Sequence, residues 1–404
     1  MTTPSSFDLE PGPIDDPYEL RGVPQDPVAS WDKHVIVDVV HDGTRLPTEL
    51  EAFFEDDGTI RPAVKDAYVR ERDWGASAVA ERLAYHLGLR GYHNVQAARV
   101  ACDYNRFRGW SVPEAGHLGR RALFPPASEL LSPRMGEQTL QTCFDPVSKA
   151  LYERCEEAFD GQAVMDSKLT RITVHTYDER AGEGHRRPKA SLIFTPFEYH
   201  EFARLPASVY PPVFPDRLAE FTADRALAYR MALMLEKNYV PVAVNSPYFL
   251  PLGGAEMRLQ VWCYIRHLRQ LVERIASDKD AARFETLWPY LLDIDHPWVG
   301  RDIHDDQHET LQDLCAWVET HHFEAVERYR YSAFRPNAIE VEIRKDLAYD
   351  GSWQTLSDGR EAFVPEEGGV RLDEIDRIAA IMATGIREYL THDQPEKRAG
   401  AISQ

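Results

Sequence analysis

Cysteine is sparse and unpatterned in this chain: Cys102, Cys143, Cys155, Cys263 and Cys315 are scattered, and no two form a C-x-x-C pair. That spacing excludes a disulfide framework and a structural zinc knuckle. No apolar run reaches the ~20 residues that cross a bilayer, and no charged-then-apolar leader opens the sequence. The expected setting is therefore the cytoplasm, with no membrane partner. Basic residues are also in deficit, 46 Lys and Arg against 66 Asp and Glu, for a formal net charge of -20. Neutralising phosphates needs clustered Lys and Arg, so a nucleic-acid partner is not expected. Phosphate-cradling glycine loops and a G-x-S-x-G elbow are missing, and Gly182-Glu183-Gly184 lacks a strand-loop-helix setting. What remains is a 404-residue chain, 43% hydrophobic and 28% charged, a composition that builds a full core.

The hydrophobic pattern alternates strands with helices, which predicts an α/β fold: a central mixed, largely parallel sheet flanked by helices on both faces. Strands are expected at 35–40, 95–102, 172–175, 240–244 and 338–344, and helices at 75–87, 146–159, 215–237, 256–277, 308–329 and 372–390. Residues 1–30 are rich in Pro, Asp and Ser and read as an extended N-terminal arm. The body spans 31–350, with insertions near 107–143, the first a long excursion or lid, and 179–215. Residues 351–404 read as a helical extension packed on the same domain. Residues 178–188, with two glycines, His185 and consecutive arginines, read as a mobile loop close to the site.

Two strands end in histidine. Val35-Ile36-Val37-Asp38-Val39-Val40 delivers His41 into the turn Asp42-Gly43-Thr44-Arg45, and Ile172-Thr173-Val174 delivers His175. The carboxyl edge of an open α/β sheet is where such folds present their reactive groups, so two distant imidazoles placed this way point to one shared site, the alternative being two loop-capping histidines with no ligand. Neutral imidazoles suit zinc, and Asp73, Asp103 and Asp178 are all available as a third ligand. In the strand 338–344, Ile339, Val341 and Ile343 share one face and Glu340, Glu342 and Arg344 the other. Glu342 could serve as a general base, or the strand could be an exposed edge with a charged face. Arg106 and Arg344 could grip a substrate carboxylate bidentately, or pair internally with Asp103 and Asp346. Cys102 reads better as a buried small hydrophobe than as a nucleophile.

A rival centre is His304-Asp305-Asp306-Gln307-His308, with histidines at i and i+4. Its simpler reading is a solvated helix start with carboxylates at the positive end of the dipole. His321 and His322 are adjacent, so on a helix their side chains diverge.

Taken together, the segments 41–47, Arg72-Asp73-Trp74-Gly75-Ala76, 100–106, Val174-His175-Thr176-Tyr177, Asn245-Ser246-Pro247-Tyr248 and 340–347 resemble, in their order and strand-end placement, the N-formylglutamate amidohydrolase family. The resemblance implies a zinc-carboxypeptidase-like fold and hydrolysis of a C–N bond in an N-acyl amino acid. It assigns His41, Asp73 and His175 as ligands of a divalent metal ion, most simply zinc. Glu342 would activate water and Arg106 join it in catalysis, orienting a carboxylate, while Asn105, Asn245 and Arg344 line the substrate pocket. The His-x-x-Glu pattern of carboxypeptidases is absent, since Thr44 holds the Glu position. The expected partner is a small N-acyl amino acid or a peptide end. The alternatives are a peptide-processing or biosynthetic tailoring metallohydrolase for a larger substrate, and a non-catalytic binding module of the same fold.

Overall fold

The computed structural model describes residues 9–47, 50–112, 119–159, 168–180, 186–299, 301 and 304–393. Its central sheet has seven strands: β1 (Tyr18–Gly22), β2 (Val35–Val39), β3 (Gly91–Val95), β4 (Thr170–Tyr177), β5 (Ala190–Ile193), β6 (Val242–Val244) and β7 (Asn337–Arg344), in the order β6-β5-β7-β4-β2-β3-β1. The middle strands β7, β4, β2 and β3 run parallel. β5 is antiparallel to β7 and carries β6 alongside it, and β1 closes the other edge antiparallel to β3. This is the mixed α/β sheet expected from the sequence.

Alternation along the middle strands makes two unlike faces. Val35, Val37, Val39, Ile172, Val174, Ile339, Val341 and Ile343 form an apolar face. The longest helices among the described residues are α1 (Ala76–Leu87), α2 (Asp145–Phe159), α3 (Arg225–Lys237), α4 (Ala255–Ile275), α5 (Asp305–Thr320) and α6 (Leu372–Glu388). The apolar face is covered by α1, α3 and α6, whose inward stripes join the same core. The other face carries Arg171, Thr173, His175, Glu340 and Glu342, yet β4 and β7 are buried along their whole length. Buried charges must be paired. Arg171 accordingly lies between Asp38 (2.8 Å) and Glu256 of α4 (2.9 Å), and Thr173 donates to Glu256 (2.6 Å).

Several expected elements differ. The strand predicted over 95–102 instead runs over Gly91–Val95; beyond it Arg45, in the loop after β2, donates its N–H to Gln96 O and accepts from Ala98 N–H, and the chain turns through 99–101. The helix expected from Pro215 starts at Arg225, preceded by a tight turn at Asp216–Leu218 and by Thr222, whose N–H donates to Phe194 O. The helix expected over 308–329 is α5 followed by a wider-turned π-helical segment, Phe323–Arg328. Part of the N-terminal arm is strand β1 of the main sheet, because its backbone pairs with β3. The excursion after Phe107 sends Phe107, Ala122, Leu123, Leu140 and Cys143 into the core, so those parts are packed body rather than lid. Residues 181–185, including His185, lie outside the described residues. Among the described residues no helix is long and apolar enough to cross a membrane.

Candidate active site

The site is assembled at the carboxyl ends of three parallel strands. Register sets Glu342 of β7 beside His175 of β4, and Glu340 beside Thr173. Neighbours in a parallel pair point to the same face, so both glutamates and His175 share one side of the sheet. His41 follows β2 by two residues, and its carbonyl accepts from Asp73 N–H (3.1 Å), which sits just ahead of α1. Asp42 fastens the same corner, accepting from Ser77 N–H (3.0 Å) and from Arg72 (2.7 Å).

Gly43 makes this corner possible. A Cβ there would lie 2.4–2.5 Å from the carbonyl oxygens of Val95, Gln96 and Ala97. Backbone cannot yield cheaply, so Gly43→Ala is expected to cost at least about 2 kcal/mol through overpacking and to displace His41. Urea unfolding of the variant checks this, and a change under about 0.5 kcal/mol, the range of ordinary surface substitutions, would contradict it.

His41 Nε2 donates to Asp103 Oδ1 (2.8 Å), and its Nδ1 lies 3.4 Å from Asp73 Oδ2. His175 Nδ1 donates to the same Asp73 oxygen (2.7 Å), and its Nε2 lies 3.7 Å from Glu340 Oε2. The two imidazoles meet edge to face at 4.8 Å. Asp103 is held in turn by Arg99 (3.1 Å) and by Asn105 N–H (2.9 Å), while Asn105 Nδ2 donates to Glu340 (3.2 Å). His41 Nδ1, His175 Nε2 and Glu342 Oε2 are buried without a hydrogen-bond partner.

Electrostatics explains what such a cluster wants. Burial pushes Glu342 well above the ordinary carboxylate range, and Glu340 and Asp73 push it further, against His175 and Arg99. Glu340 is raised too, by burial and by Glu256. Burial alone would lower His175, but Glu340, the hydrogen bond to Asp73 and Glu342 outweigh it and raise it to about 10. Burial would likewise raise Asp73 and Asp103; hydrogen bonds from His175 and His41 hold Asp73 down, and Arg99, then His41, hold Asp103 down. The carboxylates thus recruit a cation, and a proton on His175 serves when no other is present.

His41, Asp73 and His175 each offer one ligand atom, all within 4.8 Å of one another. Two atoms ~2.0–2.1 Å from a tetrahedral ion sit about 3.3 Å apart, close to the 3.4 Å between His41 Nδ1 and Asp73. The Asp103 contact has the form of the carboxylate support by which a ligating imidazole is oriented. The donor set therefore fits a divalent metal ion.

The structure brings His41, Asp73, His175, Asn105, Arg106 and Glu342 around one cleft of about 290 Å³. Arg106 donates to Asn105 O (2.6 Å) and makes no ion pair among the described residues. Burial, with Arg120 and Arg99 nearby, lowers it to about 10. Two expected residues are not brought in. Arg344 is spent on Asp346 in a bidentate pair (2.9 and 2.7 Å). Asn245 accepts from the N–H groups of Phe194 and Thr195 at a left-handed backbone corner, φ +48°. Asp178 borders the cleft but pairs with Lys345 (3.1 Å). The edge-strand reading of Glu342 is overturned, since β7 lies between β5 and β4. His304 caps α5 and His308 is exposed, so that pair is a solvated helix start. Cys102 is buried, and burial raises its thiol well above the ordinary value. Sequence reasoning passed over Glu340, Arg99, Arg187 and Tyr248 as site residues. For Glu340 the signal was there, two residues from Glu342 on the same strand face.

Fold and site together define a mixed α/β protein with a buried His-Asp-His cluster flanked by paired glutamates at its sheet edge. No family model matches the sequence, and no curated protein matches it. Among solved structures, N-formylglutamate amidohydrolase from Ralstonia eutropha JMP134 is similar over 94% of this chain and 99% of its own, at 14% identity and a TM-score of 0.48. A gene product from Agrobacterium tumefaciens is similar over 92% of each chain, at 15% identity and a TM-score of 0.41.

Proposed function

We propose that this chain is a cytoplasmic, metal-dependent amidohydrolase that cleaves the C–N bond of a small N-acyl amino acid or peptide end. One observation carries the reading: three ligand atoms from His41, Asp73 and His175 converge within 4.8 Å while Glu342, in register with His175, keeps a buried oxygen without a partner. A divalent ion held by His41, Asp73 and His175 would supply Lewis acidity and an acidified water. Glu342 then has the chemistry of a general base: it takes the proton of the attacking water and returns it to the departing amine, so a C–O bond forms as the C–N bond breaks. Its raised pKa suits that return. Glu340, held by Asn105, adds negative charge beside His175 and keeps the imidazole oriented. Arg106, which makes no ion pair among the described residues, binds the substrate carboxylate.

The test is elemental analysis of the purified protein with hydrolysis assays on N-acyl amino acids and short peptides. The expected result is about one zinc per chain and turnover that chelation removes and zinc restores. A metal-free protein that hydrolyses amides at full rate would overturn the metal assignment, and one that hydrolyses none of them the amidase assignment.

A further inference from the structure

Beside the catalytic cleft lies a second cavity of about 770 Å³, against about 290 Å³ for the cleft itself. Its apolar wall residues include Phe107, Phe197, Val209, Phe249 and Leu252, with Arg121 and Glu198 also lining it, and it shares Arg106, Arg120, Tyr248, Phe249 and Pro251 with the cleft. The two adjoin, with Arg106 on the boundary between them. The chamber is built rather than incidental. Phe107 and Leu252 are buried, Phe249 is stacked on His200 at 4.2 Å, and a Cβ on Gly253 would strike Phe107 N at 2.3 Å. A pocket of that size and lining holds a drug-sized apolar group.

We propose that the chamber receives a large apolar side chain on the amino-acid half of the substrate, so that the enzyme selects N-acylated leucine- or phenylalanine-like residues over small or acidic ones. The reasoning rests on the amidase reading above. Among the cleft's arginines, Arg70, Arg99 and Arg120 are engaged by carboxylates, Asp358, Asp103 and Glu71 respectively, whereas Arg106 and Arg187 make no ion pair among the described residues, and of these two only Arg106 lines both cavities. A carboxylate held there belongs to the amino acid released by hydrolysis. With the scissile amide at the His41, Asp73, His175 cluster and the carboxylate at Arg106, the side chain on the carbon between them faces the chamber.

The test measures kcat/KM for N-acetyl glycine, alanine, glutamate, leucine and phenylalanine, and in parallel the calorimetric Kd of N-acetyl-phenylalanine and N-acetyl-glycine. The leucine and phenylalanine substrates are expected to exceed glycine and glutamate at least about tenfold, the range one or more buried methylenes supply, with a matching difference in Kd. Ala207→Trp, an exposed position on the chamber wall, should remove that advantage and leave the glycine substrate unchanged. Arg106→Gln should weaken N-acetyl-phenylalanine but not its C-terminal amide. Equal Kd values overturn the proposal, as does a preference that follows acyl length from N-formyl to N-octanoyl glycine instead. Tenfold tighter binding of N-acetyl-phenylalanine without turnover of any substrate would sink the amidase reading and leave the chamber assignment standing.

Discussion

Glu342→Gln is expected to lower kcat by roughly 10²–10⁴, the range that general acid–base catalysis supplies, with metal content and KM close to wild type. The exchange keeps the shape of the side chain and removes its ability to take a proton. Stability should hold or rise slightly, because the buried carboxyl is already disfavoured as an anion by burial and by Glu340 and Asp73, and a neutral amide suffers neither. The control is Glu340→Gln. Glu340 lies on the same strand face but accepts from Asn105 and stands 3.7 Å from His175, so its loss should misalign the imidazole and reduce kcat more modestly. Steady-state kinetics with elemental analysis on both variants separates the roles. A Glu342→Gln enzyme of wild-type kcat would remove the general base from the mechanism, and equal losses in the two variants would leave the base unassigned between them.

The strands that carry these residues were readable because each side of the sheet keeps its own chemistry. Ile172 and Val174 alternate with Thr173 and His175, and Val341 and Ile343 with Glu340 and Glu342; that period of two survives burial on both faces. What alternation does not encode is the partner. Arg171 was invisible as a structural ion because Asp38 and Glu256, which hold it, come from elements 133 and 85 residues away. The end of β3 was misplaced because Val95 to Cys102 looks apolar enough to continue, whereas the turn there is dictated by the loop of Gly43 packing on its carbonyls. That turn is what brings Asp103 against His41, so the site's supporting carboxylate was legible only as one of three candidates. Arg344 and Asn245 fail for local reasons: a carboxylate two residues on captures the first, and a left-handed corner consumes the second. A motif names the residue type at a strand end; the side chain's freedom depends on what the fold has already given it to hold.

The largest loss is expected from the histidines. His41→Ala and His175→Ala should each reduce bound metal from about one ion per chain to less than about a tenth, and activity below detection, since the two carry the nitrogen donors of the cluster. Neither change should unfold the protein. Without His41, Asp103 keeps Arg99 and the Asn105 N–H; without His175, Asp73 still faces His41. Removing one partner of a buried hydrogen bond costs about 1–3 kcal/mol, within the ~5–15 kcal/mol that hold a folded domain. Asp103→Asn keeps the hydrogen-bonding shape but weakens the charge behind His41, so its metal affinity should fall about 10–100-fold, as for other supporting carboxylates. Circular dichroism and metal titration on the three variants give a graded series, and the grading is the informative part: a simple structural role for these side chains would make metal content follow stability. Full occupancy in both alanine variants would place the ion elsewhere, and with it the water that Glu342 is positioned to deprotonate.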